Sequence, residues 1–152
     1  GKQSLTRLCA FLCDMKLETI NFTSSSYGIT DFKEDLKSIC LMAGGKSEEE
    51  VVFMLTDADV VDEKFLCYLN DLFGTGYIPS ILTKEELDSL FSQLRAQAKS
   101  EGIADTPENL MNFFIERIRK NLHVVLSFSP VGDTLRHRCR RFPGTLTQKL
   151  KG

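Results

Sequence analysis

The hydrophobic pattern is densest at Val51 to Leu55, where VVFML runs unbroken into Thr56-Asp57. Continuous rather than alternating hydrophobicity marks a strand covered on both faces, as in a parallel sheet flanked by helices. The β-branched Val51-Val52 pair and the polar approach GGKSEEE favour a strand over a short buried helix. Ligands of open α/β sheets sit beyond the carboxyl ends of the strands, so Asp57 marks the edge where a site is expected.

Other segments arrange themselves around that strand. Leu5, Leu8, Cys9, Leu12 and Cys13 fall at helical spacing, predicting a helix that starts just after Gly1-Lys2. Leu17 to Thr23 alternates and is β-branched, which predicts a second strand. Asp31 with Glu34 reads as the cap of a helix whose stripe is Phe32, Leu36, Ile39 and Cys40, ending at Gly44-Gly45. Lys64 to Leu72 predicts a short helix stopping at Gly74 and Gly76, and Pro79 a loop. Thr83 with Glu86 is a capping box for a charged helix through Gln97, broken at Gly102. Thr106-Pro107 opens a helix with the stripe Leu110, Phe113, Phe114, Ile118. Leu122 to Ser129 is a third β-rich run, ended by Pro130 and Gly132, and a last helix covers Thr134 to Cys139. Helices and strands alternate as βαβ units do, so the fold class is α/β with a parallel sheet flanked by helices.

Composition narrows the function classes. A chain of 152 residues, 42% hydrophobic, can bury one core. A formal net charge of -2 argues against a protein built to neutralise phosphate backbones, so nucleic acid is not an expected partner. No apolar run reaches membrane-spanning length and no signal-peptide pattern opens the chain, so no membrane partner is expected. The cysteines at 9, 13, 40, 67 and 139 are odd in number and form no CxxC, which points to reduced, mostly buried thiols in an intracellular protein.

The candidate chemistry lies at two places. Gly1-Lys2 before a helix matches the end of a phosphate-binding loop, in which the lysine reaches the phosphates and helix N–H groups face the anion. Asp57 at the end of an apolar strand suits a magnesium-holding carboxylate of the Walker B kind, directly or through water. Structural roles compete: Asp57 as a cap for the following helix, Asp59 and Asp62 as a solvated turn, His123 as a packed core residue, His137 as a surface residue, and the arginines 136, 138, 140 and 141 as a solvated helix end.

The stretches GKQSLTRL, SYGITDFKEDLK, VVFMLTDADVVDEKFLCYLNDL, GYIPSIL and NLHVVLSFSPVGDTLRHRCRRFPG, in this order, resemble the fourth AAA+ module of axonemal dynein heavy chains. The resemblance covers nearly the whole chain and weakens after Gly144. It implies a P-loop NTPase fold of AAA+ type lacking the N-terminal strand and most of the phosphate loop. Residues 1–144 would be part of the AAA+ large subdomain, with 145–152 a tail of uncertain origin. Gly1 and Lys2 resemble the last two positions of the phosphate loop. Gln3 stands where magnesium-binding Ser or Thr is usual, with Ser4 a weaker substitute. Asp57 resembles the Walker B aspartate and Ala58 replaces the catalytic glutamate. Ser129 resembles the sensor-one position. Arg138 resembles the arginine finger offered to the preceding module, with Arg140 and Arg141 as rivals.

The implied cofactors are ATP or ADP with magnesium. The implied partners are neighbouring AAA+ modules of the same heavy chain and, through the intact motor, microtubules and the dynein intermediate and light chains, in the cytoplasm and ciliary axoneme. Loss of the glutamate implies slow or absent hydrolysis and a regulatory role. An active ATPase using Asp59 or an external group as base, or a purely structural ring segment, are the alternatives. Without its preceding strand, the isolated chain is expected to expose strand edges and apolar surface, to bind nucleotide weakly and to associate.

Overall fold

The computed structural model describes residues 1–20, 26–60, 63–78, 81–128, 137, 140 and 141. Its elements run in the order α1 (Lys2–Leu12), β1 (Lys16–Thr19), α2 (Ile29–Gly44), β2 (Val51–Thr56), a 3₁₀ turn (Asp57–Asp59), α3 (Lys64–Thr75), α4 (Lys84–Ser100), α5 (Pro107–Asn121) and β3 (Leu122–Ser127). The three strands are parallel in the order β1-β2-β3, with Met54 opposite both Thr19 and Val125, and Thr56 opposite Ser127. This is the expected α/β architecture of an AAA+ fragment, a parallel sheet flanked by five helices.

β2 is the central strand, and Val51 through Leu55 are all buried. Period-two geometry divides them between two faces. Val51, Phe53 and Leu55 point into the main core with Phe32, Leu36 and Ile39 of α2, Phe65, Leu66 and Leu69 of α3, Leu90 and Leu94 of α4, and Phe114 and Ile118 of α5. Each large apolar side chain buried there contributes about 1.5–3 kcal/mol. Phe32 and Phe65 stack with ring centroids 4.2 Å apart.

Val52 and Met54 are buried on the other face, which belongs to α1, the helix in contact with β1 and β3. Only Ala10 of α1 is buried. Leu5, Leu8, Phe11 and Leu12 are exposed, Phe11 by 81%.

Local chemistry sets the helix boundaries. Gly28 caps α2, and its N–H donates to the Asp31 carboxylate at 2.9 Å, so the helix begins before Asp31 rather than at it. The expected Thr83–Glu86 box is present, with Thr83 N–H to Glu86 at 2.9 Å and Glu86 N–H to the Thr83 hydroxyl at 3.3 Å. Thr106 caps α5 and Pro107 occupies its first turn. Gly76 closes α3 in the left-handed region, φ 80°, where a side chain would be strained and would also meet Arg119.

α2 and α5 approach closely at Gly44, where a Cβ would come within 2.7 Å of Phe114 and Ile118. Beside it the buried Asn121 amide donates to the Ala43 carbonyl at 2.9 Å. Arg117, also buried, ties α5 to Gln97 of α4 at 2.6 Å and to Glu48 ahead of β2 at 3.1 Å.

The expected second strand is present as β1, Lys16–Thr19, and the later part of its run lies mostly outside the described residues. Two sequence expectations need correction. His123 is exposed rather than packed in the core, because its register with Val52 puts it on the thinly covered α1 face of β3. Among the four described cysteines, only Cys40 is buried, and burial pushes its thiol up to about 12; Cys9, Cys13 and Cys67 are exposed. The loop at Pro79 and most of the helix expected over Thr134 to Cys139 lie outside the described residues. His137 is exposed, as expected.

Candidate functional site

The carboxyl edge of the sheet collects the N-terminus of α1 and the ends of β2 and β3. Gly1 is the N-cap of α1 and, among the described residues, no side chain caps this helix end. The first hydrogen bond of the helix runs from Leu5 N–H to Gly1 O at 3.0 Å, so the N–H groups of Gly1, Lys2, Gln3 and Ser4 lack intrahelical acceptors. Gln3 and Ser4 are exposed on this first turn.

Lys2 ties this terminus to the sheet. Its ammonium donates to the Phe128 carbonyl, one residue beyond β3, at 3.3 Å. Thr56 pairs with Ser127 across the ladder, so the lysine stands at the strand edge next to the turn that starts with Asp57. A cation and helix N–H groups without intrahelical acceptors form a donor set that suits an anionic group; the side chain of Asp57 lies outside what the structure describes.

The turn after β2 has its own anchor. The Asp59 carboxylate accepts from Thr56 N–H at 2.7 Å and from the Thr56 hydroxyl at 2.8 Å through one oxygen. Asp59 is half-buried, so the solvated-turn reading does not hold for it; Asp62 lies outside the described residues. Asp57 begins the 3₁₀ turn, α3 begins only at Lys64, and Ala58 is exposed. Thr56 carries a local sequence signal of its own, a threonine three residues before an aspartate, the spacing of the Thr83–Glu86 box.

Ser129 and Arg138 lie outside the described residues. Of the rival arginines, Arg141 donates to Glu63 at the start of α3 at 2.5 Å, and Arg140 is exposed.

A groove of about 660 Å³ lies away from this edge, beside the second half of α2, lined by Leu41, Gly45, Lys46, Leu82, Glu86 and Leu90 among others. Its carboxylate, Glu86, accepts from the Thr83 N–H and from Lys37, each at 2.9 Å, which keep it below its ordinary range. No described helix is long and apolar enough to cross a membrane.

A protein-family model described as "P-loop containing dynein motor region D4" matches residues 1–149. Similar proteins include dynein axonemal heavy chain 9 of Homo sapiens, 49% identical over 143 residues, and the flagellar outer-arm dynein beta chain of Chlamydomonas reinhardtii, 46% identical over 143 residues. A ciliary dynein beta chain of Tripneustes gratilla is 44% identical over 146 residues. These matches cover 94–96% of this chain but 3% of each relative, so the chain spans a small part of the curated relatives' length.

Proposed function

This chain belongs to the P-loop-containing D4 region of dynein motors, and from that premise we propose that it is an ATP-binding regulatory module of an axonemal dynein heavy chain, with slow or no hydrolysis of its own. The observation that carries the reading is the Lys2 ammonium at the carboxyl edge of the sheet, 3.3 Å from the Phe128 carbonyl and beside the turn that begins at Asp57. Lys2 and the first-turn N–H groups of Gly1, Gln3 and Ser4 take the phosphates of ATP or ADP. Asp57, with Ser4 as a further ligand, holds magnesium, which when bound neutralises charge on the phosphate oxygens. Ser129 senses the terminal phosphate, and Arg138 serves the nucleotide of the neighbouring module.

Ala58 decides the rate. Its methyl group cannot accept a proton or orient water, so the group that positions the nucleophile in phosphoryl transfer is missing. Occupancy then acts as a coupling element between modules of the same heavy chain, biasing a motor whose partners are microtubules and the intermediate and light chains of the axoneme. Residues 1–144 form the nucleotide-binding part and 145–152 a tail.

The test is nucleotide retention and turnover by a full-length heavy chain carrying this segment, with its other nucleotide sites disabled. Retention lost in Lys2→Ala, with turnover appearing only in Ala58→Glu, is expected. Brisk turnover in the native protein that Lys2→Ala abolishes would falsify the regulatory reading. No retention in any variant would make the segment a structural part of the ring.

A further inference from the structure

Three Ser or Thr residues of the sequence have a carboxylate three positions on: Ser47 with Glu50, Thr56 with Asp59 and Thr83 with Glu86. That spacing has two physical uses. Folded back, the carboxylate caps the start of a turn or helix. Left extended, it is one of the downstream acidic groups by which a class of protein kinases selects its acceptor hydroxyl through charge pattern. The structure separates the two uses. The Thr56 hydroxyl donates to the Asp59 carboxylate at 2.8 Å, and the Thr83 hydroxyl accepts the Glu86 N–H at 3.3 Å. Both hydroxyls are held within their own boxes.

Ser47 is not held in this way. It stands in the exposed turn between α2 and β2, and among the described residues its hydroxyl and the Glu50 carboxylate make no hydrogen bond or ion pair. The following strand is the reason. The Glu50 carbonyl accepts the Lys16 N–H at 2.9 Å and Val51 opens β2, so the chain is already extended at Glu50 and does not close a helical turn onto Ser47. Glu48, Glu49 and Glu50 follow Ser47 without interruption, a run that neither Thr56 nor Thr83 has, and all three are exposed. Glu48 pairs with Arg117 at 3.1 Å and Lys120 at 3.7 Å, and Glu49 with Lys16 at 3.8 Å. Of the three, Glu50 keeps its charge uncommitted. Glu48 also holds φ 48°, a left-handed conformation uncommon for a residue with a side chain, so drawing this segment out straight relieves backbone strain as it parts the Arg117 pair.

We propose that Ser47 is a phosphorylation site for a serine kinase that recognises acidic residues downstream of its acceptor, with Glu50 the main recognition charge. In the reaction the Ser47 oxygen bonds to the γ-phosphorus of ATP as that phosphorus parts from the oxygen bridging it to the β-phosphate; ADP leaves, and the hydroxyl proton passes to the kinase's base. The acceptor role is independent of nucleotide binding by this chain. Ser47 shares the wall of the groove beside α2 with Lys46 and Glu86. A phosphate carries a charge of about −1.5 to −2 at neutral pH, more than the Lys46 ammonium neutralises, so modification turns that wall anionic.

The experiment incubates a full-length heavy chain carrying this segment, as native protein, Ser47→Ala and Glu50→Gln, with a purified acidophilic serine kinase and magnesium ATP, and locates phosphate by tryptic digestion and mass spectrometry. Cleavage after Lys46 and Lys64 leaves Ser47 and Thr56 on one peptide, whose fragment ions tell them apart. Both substitutions fall at exposed positions, where effects on stability are small. Phosphate is expected on Ser47 and on neither Thr56 nor Thr83, and this peptide should carry none in Ser47→Ala. The initial rate is expected to fall about tenfold in Glu50→Gln, the scale of one lost charge-assisted contact. A native chain without phosphate on Ser47 overturns the proposal. So does labelling that appears only after denaturation, or phosphate on Thr56 or Thr83 in its place. An unchanged rate in Glu50→Gln overturns acidic recognition and the kinase class with it.

Discussion

The two faces of the sheet are built to different standards. On one, Val51, Phe53 and Leu55 meet side chains from α2, α3, α4 and α5, and the contacts are dense enough that Gly44 has no room for a methyl group. On the other, among the described residues, Val52 and Met54 lie on the side of α1, which buries only Ala10 and leaves Leu5, Leu8, Phe11 and Leu12 exposed. Both faces belong to the same strand, so β2 itself is not the source of the difference. The candidate site uses the thinner side, because Lys2 rides on α1.

The largest test of that contrast removes one ring from each layer. Phe53→Ala is expected to lower the unfolding free energy by about 3–5 kcal/mol, whereas Phe11→Ala, at 81% exposure, stays within about 0.5 kcal/mol. Urea denaturation of both variants reads the difference, and equal losses would break the comparison. A finer probe is Gly44→Ala. The added Cβ meets the Phe114 ring and the Ile118 side chain at 2.7 Å in a filled core, so about 1–3 kcal/mol of destabilisation is expected despite the better helix propensity of alanine. A neutral or stabilising result in the same denaturation assay would mean that the α2–α5 seam yields where it is drawn as tight.

The smallest effect is at the rim of the dense layer. The Thr83 N–H and then Lys37 hold the Glu86 carboxyl below its ordinary range, so the folded value lies under the unfolded one. The stabilisation is therefore complete above the unfolded carboxylate range, near about pH 4.3, and is lost as pH falls through the folded value. Melting curves of Glu86→Gln should converge toward native ones in that acidic window and separate slightly at neutral pH. A gap that widens on acidification would reverse the assignment.

Much of this was legible beforehand, and the reason differs by element. β2 was readable because a strand buried on both faces must be apolar at every position. α4 and α5 were readable because Thr83–Glu86 and Thr106–Pro107 are local chemistry that needs no tertiary context. α2 was misplaced at its start because Asp31 is an acceptor in either register, and only the position of the Gly28 N–H decides between them. His123 was misjudged because apolar neighbours reveal that a strand exists but not how well each of its faces is covered. Asp59 is legible as a carboxylate, but that it accepts from both the Thr56 N–H and the Thr56 hydroxyl is a matter of local geometry that the sequence does not print. The edge bearing Lys2 and Asp57 could be anticipated from strand order, whereas the Lys2–Phe128 contact joins residues 126 positions apart and could not.

The buried Cys40 thiol gives the unequal layers a clock. It lies within the α2 side of the core and is held protonated by burial, while Cys9, Cys13 and Cys67 stand in solvent. Among the four described cysteines, a thiol reagent added to the native chain consumes the exposed groups at once and then waits, with Cys139, outside the described residues, replaced by serine. Each later modification at Cys40 counts one opening of the dense layer, timed by the protein's own sulfur without an introduced label.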